Sequence, residues 1–231
     1  MFVLLGLAWQ WVADALPSVV PPLGDVAADL VDQPDFYLEN LAETLTSAAL
    51  GFVVGVCGAL MLAVVVVHVP WLAAAVMPVA VLVHSTPILA IAPALIVAFG
   101  FNRTPHVIVV ALITFFPMLI NGITGLRAID PEALDVFRAM AASRWDVFVR
   151  LRVPSSLGYL FAAAKTCVTM AVIGAIVSEF TGTSEGIGAV IVQSTVYLNI
   201  TQMWGAIAVA AACSLALLGV VTLVERLVVR W

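Results

Sequence analysis

Four stretches of this chain are too long and too apolar for anything except a membrane. Thr44 to Val67, Pro105 to Thr124 and Met203 to Val224 carry no Asp, Glu, Lys or Arg, and Ser156 to Ser178 carries only Lys165. A helix rising 1.5 Å per residue needs about 20 such residues to cross a hydrocarbon core of about 30 Å. The chain is 64% hydrophobic and 10% charged, whereas soluble domains are about 45–50% apolar and about 25% charged. A water-facing surface needs more polar cover than that, and a lipid-facing one needs none. The sequence therefore reads as all-α, a single polytopic membrane domain over 1–231 with no internal repeat or linker.

Two regions are less regular. Residues 2–16 are apolar, with no basic residue ahead of them and no small-x-small cleavage pattern, so they read as a first span rather than a signal peptide. Residues 70–100 are interrupted by Pro78, Pro87 and Pro93. The expected break is His84-Ser85-Thr86-Pro87, because a residue before proline resists helix. One span is expected over roughly 86–100, preceded by a partly embedded helix over 70–83, giving about six transmembrane helices.

Charge orients them. Between Asp14 and Glu43 there are seven acidic residues and no Lys or Arg, whereas five arginines lie between Arg127 and Arg152, and Arg226 and Arg230 close the chain. Basic residues stay on the cytoplasmic side. The arginine loop and both termini are then cytoplasmic and the acidic loop is outside. One short basic loop in so apolar a chain does not read as a nucleic-acid surface. Val26, Ala27, Leu30 and Val31 are spaced for a short helix on the outer face. Cys57, Cys167 and Cys213 fall in apolar runs and read as small hydrophobes, without disulfide or metal. Gly51, Gly55 and Gly58 form a small-residue stripe of the kind that lets helices approach closely in lipid.

The arginine loop carries the most information. Asp130 is a good N-cap with Pro131 at the first helical position, so a helix is expected to about Ala141. Ser143, with Asp146 three residues on, restarts one, and Pro154 is expected to end it. Leu134, Phe137, Ala141, Trp145 and Phe148 follow 3–4 spacing and are expected to form one apolar ridge. Such a ridge suits docking into a partner's groove.

At these residues the chain resembles the importer-type ABC permeases. Their cytoplasmic motif is Glu-Ala-Ala, three residues, Gly, nine residues, then Ile-x-Leu-Pro. This chain has Asp135-Val136-Phe137, three residues, Ala141, nine residues, then Leu151-Arg152-Val153-Pro154. The spacing is kept; the glycine is replaced by Ala141, which strains the bend if that position needs a positive φ. Thr44-Leu45 with Gly51-Phe52 and Gly55 also resembles this family. So do Ser85-Thr86-Pro87 with Pro93 and Phe99-Gly100, and Phe116-Pro117 with Asn121 and Gly125-Leu126-Arg127. Ile173-Gly174-Ala175, Glu179-Phe180 and Gly186-Ile187-Gly188 complete the likeness. The branch is the one that imports nitrate, aliphatic sulfonates, taurine or bicarbonate, with near relatives for pyrimidine-type vitamin precursors and riboflavin.

The resemblance implies a paired or homodimeric permease, two cytoplasmic ATP-binding cassette subunits and an external solute-binding protein, in a bacterial inner membrane. It places Asp135, Phe137, Ala141, Arg144, Leu151 and Pro154 in the ATPase-coupling loop, within coupling helices over 131–151. The chain has no Gly-x-x-x-x-Gly-Lys-Ser/Thr phosphate loop, so ATP and Mg would be bound by the partner ATPase, and the chain itself reads as no enzyme.

Four residues read as pathway candidates. Ser85 and Thr86 sit at a helix break, where the backbone must face protein or a water-filled cavity; repair of the free backbone groups by their hydroxyls is the other reading. Asn121 lies near the cytoplasmic end, where it would line a vestibule or bond between helices. Glu179 lies at the outer end of its span, where either a pairing role or solute contact fits. Lys165 is expected to snorkel to the headgroups. An ion-gradient-driven transporter would need ionisable residues in mid-span, and a scaffold subunit would not need the loop's spacing.

Overall fold

A computed structural model describes residues 2–229, except for the side chains of Phe2, Val3, Leu5, Pro70, Val83, His84, Ser85, Ile88 and Leu89. The described residues form helices and their connections, without strands. Helix α1 runs Phe2–Ala15, α2 Leu23–Asp32, α3 Pro34–His68, α4 Pro70–Ser85, α5 Ile88–Phe99 and α6 Arg103–Arg127. After these come α7 Pro131–Ala139, α8 Arg144–Val147, a π-helical turn Phe148–Arg152, α9 Val153–Glu179, α10 Ile187–Val196 and α11 Ile200–Val228.

Helices α3, α6 and α11, and the continuous run Arg144–Glu179 through α9, are each long and apolar enough to cross a membrane. The bundle has two recognisable ends. At one, the Thr44 hydroxyl donates to Glu179 at 2.9 Å and His106 pairs with Ser178 at 3.0 Å. At the other, the His68 ring packs on Phe148 at 5.0 Å, and Arg152 donates to the Leu126 carbonyl at 2.9 Å. Helices α3 and α9 therefore run antiparallel, and α6 runs alongside α3 in its direction, as its His106 and Leu126 ends require. We call these the acidic end and the arginine end.

The segment between His68 and Arg103 must cross between them, and it does so in two pieces. The 16 residues of α4 and 12 of α5 rise only about 24 and 18 Å, so neither crosses alone. The span expected over 86–100 is thus the second half of a crossing that begins at Pro70. The break falls where expected: Thr86 lies outside both helices, and its hydroxyl donates to the Leu82 carbonyl at 2.9 Å. The first span expected at 2–16 is present as the helix α1, but its 14 residues rise only about 21 Å, short of a full crossing. It is tied down by Trp9, which stacks edge-on against Trp204 at 4.7 Å and donates to the Pro21 carbonyl.

The acidic segment is more ordered than its charges imply. The short helix expected around Val26 is α2, with Val26 buried. Helix α3 starts at Pro34, ten residues ahead of the apolar run, and carries Asp35, Glu39 and Glu43 on its first turns. Proline at the first helical position explains that start.

Close packing of α3, α6 and α9 makes the core. The glycine stripe supplies it: a Cβ on Gly51 or Gly55 would collide with Val110, or with Thr114 and the Ala111 carbonyl. Gly125 meets Ser156 and Tyr159 in the same way, and Gly174 meets Ile113. Without a hydrophobic force between helices in lipid, this intimacy supplies the attraction. Cys57, Cys167 and Cys213 are free.

Candidate functional site

The arginine-end loop is built by local capping. The Asp130 side chain accepts from Glu132 N–H at 2.9 Å, and Pro131 follows as the first helical residue. After nine residues α7 stops. Ala141 N–H donates to the Arg138 carbonyl and Ala142 N–H to the Phe137 carbonyl, both at 3.0 Å. These two bonds make a Schellman motif, whose pivot residue must be left-handed. Ala141 is that residue, with φ +52. The family glycine position therefore keeps the glycine conformation here while carrying a methyl group.

Ser143 then caps α8: it accepts from Asp146 N–H at 3.1 Å and its hydroxyl donates to the Asp146 carboxylate at 2.5 Å. Two short helices meeting at a bend near Ala141–Ser143 are what the sequence predicts. The single ridge is not present. It assumed one helical phase through the bend, and the left-handed turn breaks that phase. Phe148 is 9% exposed and belongs to the bundle core, while Leu134 and Phe137 are half-buried. The outward apolar groups are Val136, Met140 and Trp145, at 58%, 75% and 70% exposure.

Pro154 does not end the second helix. The chain continues into α9 through the π turn Phe148–Arg152. In a regular α-helix the proline ring would strike the carbonyl four residues back; the wider turn ahead of it makes room. Asp135 pairs with Arg138 at 3.0 Å on an open surface, Arg144 is exposed, and Leu151 is half-buried.

The pathway candidates do not converge. Glu179 is buried at the acidic end, where its Oε2 accepts from Thr44 Oγ1 at 2.9 Å and from Gly188 N–H at 2.8 Å. Thr44 Oγ1 in turn accepts from Ile187 N–H at 2.8 Å, and Asn40 accepts from Gly186 N–H at 2.9 Å. Glu179 thus pins the 180–187 turn, where Gly186 has φ +103, onto α3. Asn121, nearer the arginine end, donates to the Pro117 carbonyl of its own helix at 2.8 Å. Thr86 sits at the α4–α5 break, and the side chain of Ser85 lies outside the described residues.

Two contacts and one exposed side chain escaped the sequence reading. Arg152 caps α6 through the Leu126 carbonyl. Met140 is exposed because the turn swings it outward. Lys165 pairs with Glu225 of α11 at 2.5 Å instead of snorkelling to headgroups. Glu225 is the one carboxylate near the arginine end of α11, so the pairing had a signal in composition but none in local spacing.

Residues 55–231 match the family described as binding-protein-dependent transport system inner membrane component. The chain is 35% identical over 164 residues to the riboflavin transport system permease protein RibX of Chloroflexus aurantiacus, covering 71% of this chain and 61% of that protein. It is 28% identical over 190 residues to the formylaminopyrimidine transport permease protein ThiX of Halalkalibacterium halodurans, covering 81% and 76%. It is 25% identical over 239 aligned positions to the putative aliphatic sulfonates transport permease protein SsuC of Bacillus subtilis, covering 98% and 87%. Among solved structures, an inward-facing MetNI methionine ABC transporter gives a TM-score of 0.68 at 19% identity, covering 84% of this chain and 94% of that one. An amino acid ABC transporter with histidines gives 0.71 at 17%, covering 86% and 97%. The packed α3–α6–α9 core, the capped loop after α6 and these matches agree, and the chain belongs to the binding-protein-dependent transport system inner membrane component family of ABC importer permeases.

Proposed function

We propose that this chain is the membrane-crossing subunit of an ATP-driven importer, with its arginine end in the cytoplasm and α7–α8 docked on an ATPase subunit. Two such chains, identical or paired, would enclose the path, and an external binding protein would deliver the solute to the acidic end. ATP and Mg would belong to the ATPase. The observation that carries this reading is the loop 130–152. Both its helices are capped by their own sequence, and Val136, Met140 and Trp145 are held out where none of the described residues covers them. Closure of the ATPase pair would push this rigid loop, and Phe148 on His68 and Arg152 on Leu126 would pass the movement to α3 and α6. The cargo would be a small organic or anionic solute, a reading supported by the riboflavin, formylaminopyrimidine and aliphatic sulfonates in the relatives' names.

Co-purification from membranes with the neighbouring ATPase tests this. Wild type is expected to retain the ATPase, and Met140→Asp and Phe137→Asp to lose it at equal membrane insertion. If wild type retains no ATPase, an ion-gradient transporter or a scaffold subunit replaces the proposal; equal retention by all three moves the docking surface elsewhere.

A further inference from the structure

A groove runs between α4 and the α3–α6 pair towards the arginine end. Its inner part, about 430 Å³, is walled by Leu62, Val76, Val79, Leu112, Phe115 and Phe116 and carries no polar side chain. Its outer part, about 450 Å³, is walled by Val66, Ala73, Met77, Ile120 and Ile123 and ends on Thr124 and Arg127. The two parts lie end to end, since Phe116 and Ile120 are one turn apart on α6 and Leu62 and Val66 one turn apart on α3. Two small residues of α4, Ala73 and Ala80, pack on the core, and Pro78 interrupts the helix between them; this leaves the space beside α6 unfilled. Ala75 and Val79 are exposed along its edge.

The outer mouth is polar and uncommitted. Thr124 and Arg127, one turn apart on α6, are both exposed, and neither side chain makes a hydrogen bond or ion pair among the described residues. Thr46, Thr114, Thr166 and Thr222, by contrast, each return their hydroxyl to the carbonyl four residues earlier. Of the acids at this end, Asp130 caps α7, Asp135, Asp146 and Glu225 are paired with Arg138, Arg150 and Lys165, and Glu132 stands exposed on α7. Arg152, held on the Leu126 carbonyl at 2.9 Å, adds a second positive charge at this end. Trp71, at the start of α4 and 72% exposed, marks the same level, because such rings gather where hydrocarbon meets headgroups.

The inner part offers a water-borne solute no hydrogen bond, so hydrocarbon is what fills it. From Arg127 to Leu112, α6 rises about 22 Å, enough for an acyl chain to lie along it from the interface past the middle of a core of about 30 Å. We propose that this groove binds an anionic phospholipid from the leaflet at the arginine end, with an acyl chain against Phe115 and Phe116 and the phosphate on Arg127 and Thr124. Basic pockets between spanning helices hold such headgroups, and a zwitterionic lipid, which brings its own cation to the arginine, gains less. A second copy of this chain would bring its own arginine-rich end level with Arg127 and supply no counter-charge. The lipid fills the gap beside α4 and ties it to α6. This assignment is independent of what docks on the 130–152 loop.

Native mass spectrometry of the full chain, ejected from nanodiscs of equal parts phosphatidylglycerol and phosphatidylcholine, tests it. Wild type is expected to retain phosphatidylglycerol with about a fivefold preference over phosphatidylcholine. Arg127→Gln is expected to retain lipid without preference. Arg226 is exposed at the same end on α11, and Arg226→Gln is expected to keep the preference. Ala75→Phe puts a ring into the groove from an exposed position and is expected to lower retention of both lipids several-fold at unchanged helix content. Glycerol 3-phosphate in excess is expected to displace neither lipid. The proposal is overturned if wild type retains the two lipids equally, if Arg226→Gln erases the preference as Arg127→Gln does, or if Ala75→Phe leaves retention unchanged. Displacement by glycerol 3-phosphate overturns it in favour of a soluble phosphate, and a lipid-free dimer overturns it in favour of a second copy.

Discussion

Ala141 holds φ +52 at the pivot of the Schellman motif, a conformation that costs an L-residue about 1–2 kcal/mol. Replacing it with glycine removes that cost. Against the gain stands the larger chain entropy glycine loses on folding, about 0.5–1 kcal/mol. Residue 141 is exposed, so no cavity follows from deleting its methyl group. The net expectation for Ala141→Gly is about 0.5–1 kcal/mol of added loop stability, or roughly two- to five-fold less opening. The Ala141 and Ala142 amides donate the two bonds that close the motif, so their hydrogen exchange reports that opening directly. Exchange in nanodiscs is expected to slow by that factor in Ala141→Gly. Ala139→Gly, two residues earlier in the last turn of α7, is expected to speed it, because there glycine only loosens a helix. If Ala141→Gly leaves exchange unchanged or faster, the strain argument is wrong.

The same logic extends to the bundle. Gly55→Ala drives a methyl into Thr114 and the Ala111 carbonyl and is expected to cost about 1–3 kcal/mol, read as a lower melting temperature in detergent. Gly58→Ala meets only the Phe115 ring at 3.7 Å and is expected to be neutral. Glu179→Ala leaves the Gly188 N–H without its acceptor, at about 1–3 kcal/mol, while the Thr44 hydroxyl keeps the Asn40 carbonyl at 3.2 Å; faster proteolysis between 180 and 187 than in Glu179→Gln is the signature. Lys165→Met alone strands Glu225 and is expected to destabilise, whereas Lys165→Met with Glu225→Leu recovers most of the loss. Additive melting shifts in that cycle would show that the two side chains do not interact.

Much of the fold was written in features that act over a few residues. The apolar runs, the Asp130-Pro131 and Ser143–Asp146 caps and the break before Pro87 each depend on neighbours in sequence, and each lies where the chain's chemistry puts it. The ridge through Leu134 and Phe148 failed because periodicity carries no information about a left-handed residue in its path. Pro154 misled because a stop signal holds only if the preceding turn keeps α spacing. The Lys165–Glu225 pair and the Glu179–Gly188 bond join residues brought together by tertiary packing, which one sequence does not report.

Site-specific photo-crosslinking from Met140 in cell membranes tests the central claim most directly. A benzophenone side chain at this exposed position, with Val31 at the acidic end as the control, would capture whatever docks on the bend. The account predicts an adduct from position 140, and none from position 31, with a protein whose peptides include a nucleotide-binding phosphate loop. An adduct with such a protein from position 31, or none from position 140 in cells that express the ATPase, would contradict the account.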